Sequence, residues 1–129
     1  MDQAIQKTDR KTILVIDDSP AIRQFLRIAL SSHDFELIEA ETGKDGLKSV
    51  EIGCPDLVIL DLGLPDIDGH QVLDQMREKT DPECQLPVII LSVRSERKDI
   101  KQAKENGADA YITKPFRIDE LISTVENLL

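Results

Sequence analysis

Four short apolar runs constrain this chain most: residues 13–16 (ILVI), 57–60 (LVIL), 87–91 (PVIIL) and 110–112 (AYI). They are nearly continuous rather than alternating. Strands buried on both faces look like that, and they belong to parallel sheets covered by helices. A weaker run, residues 35–40, carries Glu36 and Glu39 and is expected near an edge. Between the runs, apolar residues recur at helix spacing. Ile22, Phe25, Leu26, Ala29 and Leu30 form one stripe, opened by Ser19-Pro20, a capping residue and then a first-turn proline. Thr42 caps a second helix from residue 43 to about 51, with Leu47 and Val50 facing in and Cys54-Pro55 breaking it. Val72, Leu73 and Met76 mark a third over residues 69–79. Residues 95–106 read as a polar fourth helix with Ile100 and Ala103 facing in, closed by Gly107. Leu121, Ile122, Val125, Leu128 and Leu129 mark the fifth, with Asp119 or Glu120 in its first turn.

Strand then helix, five times over, predicts an α/β fold: a doubly wound five-stranded parallel sheet, flavodoxin-like, in the order 2-1-3-4-5, with five helices. A chain of 129 residues is one domain. Its expected extent is residues 11–129, after a disordered lead-in at residues 1–10. No stretch approaches the roughly 18 apolar residues of a membrane span, and the polar N-terminus is no signal peptide. The expectation is therefore a cytoplasmic protein without membrane contact. Cys54 and Cys84 match no metal or redox spacing and read as free thiols in a reducing compartment. A net charge of −9 argues against direct nucleic acid binding and suits a divalent cation or a basic partner.

In such sheets, ligands gather beyond the carboxyl ends of the strands, near the point where strand order reverses. Asp17, Asp18, Asp61, Ser92 and Lys114 all stand just past a strand run. Three carboxylates brought together repel and call for a cation. Hard oxygen donors suit Mg²⁺. Asp18 and Asp61 read as direct ligands, the backbone carbonyl of Gly63 as another, and Asp17 as a ligand through water. A carboxylate oxygen of Asp61 can also attack phosphorus and form an acyl phosphate. Lys114 then supplies a cation opposite the metal, and Ser92 a hydroxyl for a phosphoryl oxygen.

Each residue has a plainer reading. Asp17-Asp18 can cap the helix that follows, Ser92 can be a turn residue and Lys114 a surface lysine. The Lys114-Pro115 bond is open to either isomer. Asp66 and Asp68 are best explained as a turn and a cap for the third helix. His33 and His70 read as surface residues, so no histidine is placed to activate Ser92 as a nucleophile. No glycine-rich dinucleotide fingerprint and no P-loop is present.

The stretches ILVIDDSPAIRQFL, PDLVILDLGLPDIDG, LPVIILS and GADAYITKPF together resemble the receiver domain of two-component response regulators, the chemotaxis-regulator-like fold. The likeness covers about residues 11–129. It implies Asp61 as phospho-acceptor, Asp17 and Asp18 as the Mg²⁺ pair, Ser92 as the switch hydroxyl, Lys114 as the conserved lysine and Tyr111 as the switch aromatic. It also implies phosphate from a histidine kinase, a phosphotransfer protein or small donors. The domain would be no ordinary enzyme, yet would phosphorylate itself from small donors and dephosphorylate itself, both with Mg²⁺. Phosphorylation would shift the face made by the fourth helix, fifth strand and fifth helix between two packings. LDLGLPD and LSVRSE resemble the potassium-responsive Kdp-type regulators.

The departures matter too. Regulators with a winged-helix DNA-binding domain commonly read Asp-Asp-Tyr where this chain has Asp109-Ala110-Tyr111. Their fifth helix usually carries basic residues near the positions of Thr124 and Glu126. A monomer or weak dimer is therefore expected, with an output partner that the sequence does not name. Val93 stands where receivers often have alanine or glycine, and Gly63 opens space beside Asp61. The alternatives are a degenerate receiver that binds a partner without phosphoryl chemistry, or the receiver fragment of a DNA-binding regulator or hybrid kinase. A haloacid-dehalogenase phosphatase lacks its Asp-x-Asp-x-Thr motif here, and a flavin carrier would set its phosphate against Asp17-Asp18.

Overall fold

In the computed structural model, which describes residues 10–79 and 86–129, strand and helix alternate throughout. The elements are β1 (Lys11–Ile16), α1 (Pro20–Ser31), β2 (Phe35–Ala40), α2 (Gly43–Gly53), β3 (Leu57–Leu60), α3 (Gly69–Lys79), β4 (Val88–Ser92), α4 (Arg97–Glu105), β5 (Ala110–Thr113) and α5 (Ile118–Leu128). The strands form one parallel sheet in the order β2-β1-β3-β4-β5, as the pattern predicts. The edge position expected for residues 35–40 holds: β2 ends the sheet and its Glu36 is exposed. The expected lead-in, apart from Arg10, lies outside the described residues.

Side chains of a strand alternate between its two faces, and the core divides accordingly. Leu14, Ile16, Val58, Leu60, Val88 and Ile90 point to one side. There they meet Leu47 and Val50 of α2, Val72, Leu73 and Met76 of α3, and Ala103 of α4. Ile13, Val15, Leu57, Ile59, Ile89 and Leu91 point to the other, against Leu26 and Leu30 of α1 and Leu121, Ile122 and Val125 of α5. Continuous apolar strands are thus explained: both faces are covered.

Local signals set the helix ends. Ser19 Oγ accepts from the Ile22 amide at 3.3 Å, with Pro20 in the first turn of α1. Thr42 Oγ1 accepts from the Asp45 amide at 3.1 Å at the start of α2. Gly107, at φ +97°, follows α4 in the left-handed region where glycine carries no Cβ penalty. The Lys114-Pro115 bond is cis.

Three expectations are corrected. α4 buries Asp99 and Ala103, while Ile100 is only half-buried; an apolar count passes over a carboxylate that finds a partner. That partner is His70, which is buried rather than on the surface because Asp99 meets its Nε2 at 3.1 Å. His33 is exposed, as expected. Cys54 is not a free thiol but disulfide-bonded, and Cys84 lies outside the described residues. Spacing along the chain does not report distance across the fold. The ends of α2 and α3 come together, with Lys79 Nζ 3.8 Å from Glu51 Oε1.

Candidate functional site

The register of the sheet assembles the site. Ile16 pairs with Leu60, so the next residues, Asp17 and Asp61, emerge side by side at the carboxyl edge. The Asp61 amide donates to Ile16 O at 2.9 Å and the Asp17 amide to Ala40 O at 3.0 Å, which fixes both backbones. On the other side of β3, Ser92 closes β4 and pairs with Thr113, which puts Lys114 just beyond the same edge. The Lys114 amide donates to Ser92 O at 2.8 Å. The apolar runs locate these strand ends: β1 leads into Asp17 and Asp18, β3 into Asp61 and β5 into Lys114, while β4 closes on Ser92.

Asp17 and Asp61 are 2% and 8% exposed, whereas Asp18 is open to solvent. The three carboxylates each offer an oxygen within 4.8 Å of the others. That is close to the span of about 4.2 Å across an octahedral Mg²⁺ with oxygens at its usual distance. A hard divalent cation therefore fits the donor set. Lys114 Nζ lies 2.9 Å from Asp17 Oδ2 and 3.6 Å from Asp61 Oδ2. Asp17 Oδ1 accepts from the Ser19 amide at 2.9 Å. Burial still pushes the Asp17 carboxyl above its ordinary range, against the opposing pull of Lys114 and the Ser19 amide. Anionic Asp17 is thus held at a cost that a metal cation would relieve.

Asp61 Oδ1 accepts from the Gly63 amide at 3.3 Å. A Cβ on Gly63 would meet nothing within 4 Å, so the expected open space is there. Gly69 is the opposite case. A Cβ there would lie 2.4 Å from Leu62 Cα and 2.6 Å from Asp61 O, so α3 can begin this close to Asp61 only with glycine. Val93 is largely exposed beside this edge. Ser92 is fully buried and its Oγ accepts from the Arg94 amide at 3.2 Å. Tyr111 is half-buried and donates its hydroxyl to Arg94 O at 2.7 Å. Burial, then the nearby Asp99 charge, raises its phenol above the ordinary value, so the proton stays in that bond.

The sequence reading missed three groups. Arg94 Nη2 donates to Asp68 Oδ1 at 2.7 Å and to Leu62 O at 3.3 Å. His70 and Asp99 form the buried pair described above. Asp66 takes the Gly43 and Lys44 amides at 2.8 and 2.9 Å and so caps α2 across the fold. Asp68 does cap α3, as expected, through the His70 amide at 3.1 Å. Nothing near Arg94 in sequence marks it; Asp68 lies 26 residues earlier.

No helix among the described residues is long and apolar enough to cross a membrane. The chain is 46% identical over 109 residues to the KDP operon transcriptional regulatory protein KdpE of Escherichia coli, covering 84% of this chain and 47% of that protein. It is 45% identical over 111 residues to the transcriptional regulatory protein KdpE of Mycobacterium tuberculosis, covering 86% and 47%. The chain thus spans about half the length of these curated relatives. A crystal structure of a CheY-like response regulator receiver domain protein from Methanospirillum hungatei superposes with a TM-score of 0.85 at 28% identity, covering 92% of this chain and 94% of that one. Residues 13–126 match the response regulator receiver domain family, and the chain belongs to it.

Proposed function

We propose that Asp61 is the residue on which this receiver accepts its phosphoryl group, taken from a histidine kinase, a phosphotransfer protein or a small phosphodonor. The observation that carries this is the nearly buried Asp61 carboxylate between an acidic pair and the Lys114 ammonium. A carboxylate oxygen of Asp61 attacks phosphorus, and the bond from phosphorus to the donor atom breaks. When a histidine is the donor, its ring nitrogen leaves with the bonding pair and takes up a proton. Asp18, Asp61 and the Gly63 carbonyl would hold Mg²⁺, with Asp17 reaching it through water. The metal supplies charge neutralisation for the phosphoryl oxygens. Lys114 turns from Asp17 toward the phosphoryl group, and Ser92 gives up its bond from the Arg94 amide to donate to a phosphoryl oxygen. Hydrolysis returns the Asp61 carboxylate and releases phosphate.

Ser92 and Tyr111 act as the switch pair: both are tied to Arg94, so movement at one reaches the other. The changed face is that of α4, β5 and α5. With Ala110, Thr124 and Glu126 in that face, the receiver remains a monomer or weak dimer. It works in the bacterial cytoplasm and does not itself touch nucleic acid. The KdpE relatives, named as transcriptional regulators and about twice as long, favour a second reading in which this receiver is one part of a DNA-binding regulator.

The test is intact mass after incubation with Mg²⁺ and phosphoramidate. One labile phosphoryl group is expected on the parent and none on Asp61→Asn. Modification that persists in the variant removes Asp61 from the role.

A further inference from the structure

Arg94 touches more of the moving parts of this site than any residue in the proposed chemistry. It lies two residues past Ser92, in the loop from β4 to α4. Its amide donates to Ser92 Oγ at 3.2 Å, and its carbonyl accepts from the Tyr111 hydroxyl at 2.7 Å. Its guanidinium donates to the carbonyl of Leu62, the residue after Asp61, and to Asp68 at the start of α3. The other terminal nitrogen lies 3.9 Å from Asp99 Oδ1 in α4. That same oxygen meets His70 Nε2 at 3.1 Å, and both partners are nearly buried.

The Arg94–Asp68 pair is partly exposed and adds little stability as a pair. Its consequence is geometric. A guanidinium presents its donors as a rigid planar fork. The β4–α4 loop therefore cannot approach Asp61 without carrying the fork along or breaking its bonds to both Leu62 and Asp68. Behind it, the buried His70–Asp99 contact holds the first turn of α4 to the first turn of α3. Separating buried charged or polar partners costs more than separating exposed ones. Loop, α3 and α4 are thus joined at one side chain.

We propose that Arg94 is the positioning residue that transmits the state of Asp61 to α4, through its fork on Leu62 and Asp68 and its contact with the His70–Asp99 pair. This rests on the reading in which Asp61 is the phosphoryl acceptor. When the Ser92 hydroxyl turns to the phosphoryl group, the Arg94 backbone moves with it. The Tyr111 hydroxyl follows the Arg94 carbonyl, and the first turn of α4 follows the guanidinium through Asp99. One residue thereby drives both halves of the changed face.

The experiment compares the parent, Arg94→Ala and Arg94→Gln with Mg²⁺ and phosphoramidate. Intact mass reads phosphoryl occupancy, and amide hydrogen exchange reads α4 and the preceding loop. The quantity of interest is the exchange change per phosphoryl group, compared at matched global stability so that unfolding does not set the rates. Network substitutions of this kind weaken coupling severalfold, so the response per phosphoryl group is expected to fall about threefold or more in both variants. Arg94→Gln carries the test if Arg94→Ala does not fold. An undiminished response per phosphoryl group in either folded variant overturns the proposal. So does a parent that takes up phosphate with no exchange change in α4. A parent that takes up no phosphate overturns the acceptor reading itself.

Discussion

The Lys114 ammonium donates to Asp17 Oδ2 across 2.9 Å, joining the loop after β5 to the end of β1. It therefore occupies an oxygen that an incoming cation would otherwise attract. Lys114→Ala should tighten Mg²⁺ binding, since a like charge has left the cluster, by about three- to tenfold. It should also slow phosphoryl uptake, because no cation then faces the transferred oxygens. Calorimetric titration and intact-mass time courses read the two effects. Weaker Mg²⁺ binding in Lys114→Ala would show that the ammonium organises the carboxylates rather than competing for them.

Asp18→Asn should weaken Mg²⁺ binding and slow uptake from small donors, whereas Asp66→Ala should do neither. Asp66 instead caps α2 through the Gly43 and Lys44 amides, and losing such a cap costs about 1 kcal/mol. A lower thermal midpoint with unaltered Mg²⁺ affinity is the expected signature of Asp66→Ala. Equal affinity in Asp18→Asn and the parent would remove Asp18 from the ligand set.

Two glycines near Asp61 should respond in opposite ways to a methyl group. Gly69→Ala drives a Cβ into the backbone of Leu62 and Asp61, and overpacking of this sort costs about 1–3 kcal/mol. Gly63→Ala adds a Cβ in open space and should leave the midpoint of denaturant unfolding where it is. Similar midpoints for the two variants would mean that α3 can back away from β3 freely.

Burial raises the Asp68 carboxyl, but the Arg94 guanidinium and the His70 amide outweigh it and leave the group below its ordinary value of 3.8. An acid held low in the fold contributes stability that is present above the unfolded value and is lost as pH falls through the folded one. The stability difference between the parent and Asp68→Asn should be constant near neutral pH and shrink below about pH 4. Chemical denaturation from pH 7 downward measures it. A difference that widens in acid would place the favourable charge elsewhere.

Asp17, Asp61, Ser92 and Lys114 were legible in the sequence because each stands at or just past a strand's carboxyl end, and apolar runs mark strand ends. The cap at Ser19 was legible for a similar reason: its partner is three residues away. Arg94, His70 and Asp66 were not, since their partners lie 26, 29 and 23 residues distant. Which loops face each other follows from the winding of the sheet, not from local pattern. His70 shows the limit most clearly. A histidine at a helix start reads as surface until α4 brings a carboxylate over it.

α4 grips the sheet with less apolar surface than its neighbours. It buries Ala103 and a carboxylate, where α3 sets Val72, Leu73 and Met76 into the core. The work of sliding a helix grows with the apolar area it drags out of contact. Among the helices α4 is therefore the one whose displacement takes the least apolar surface out of contact. Its thin hydrophobic footing makes it a natural lever arm: the tether to α3 and the loop sets its resting angle, and little else resists a change.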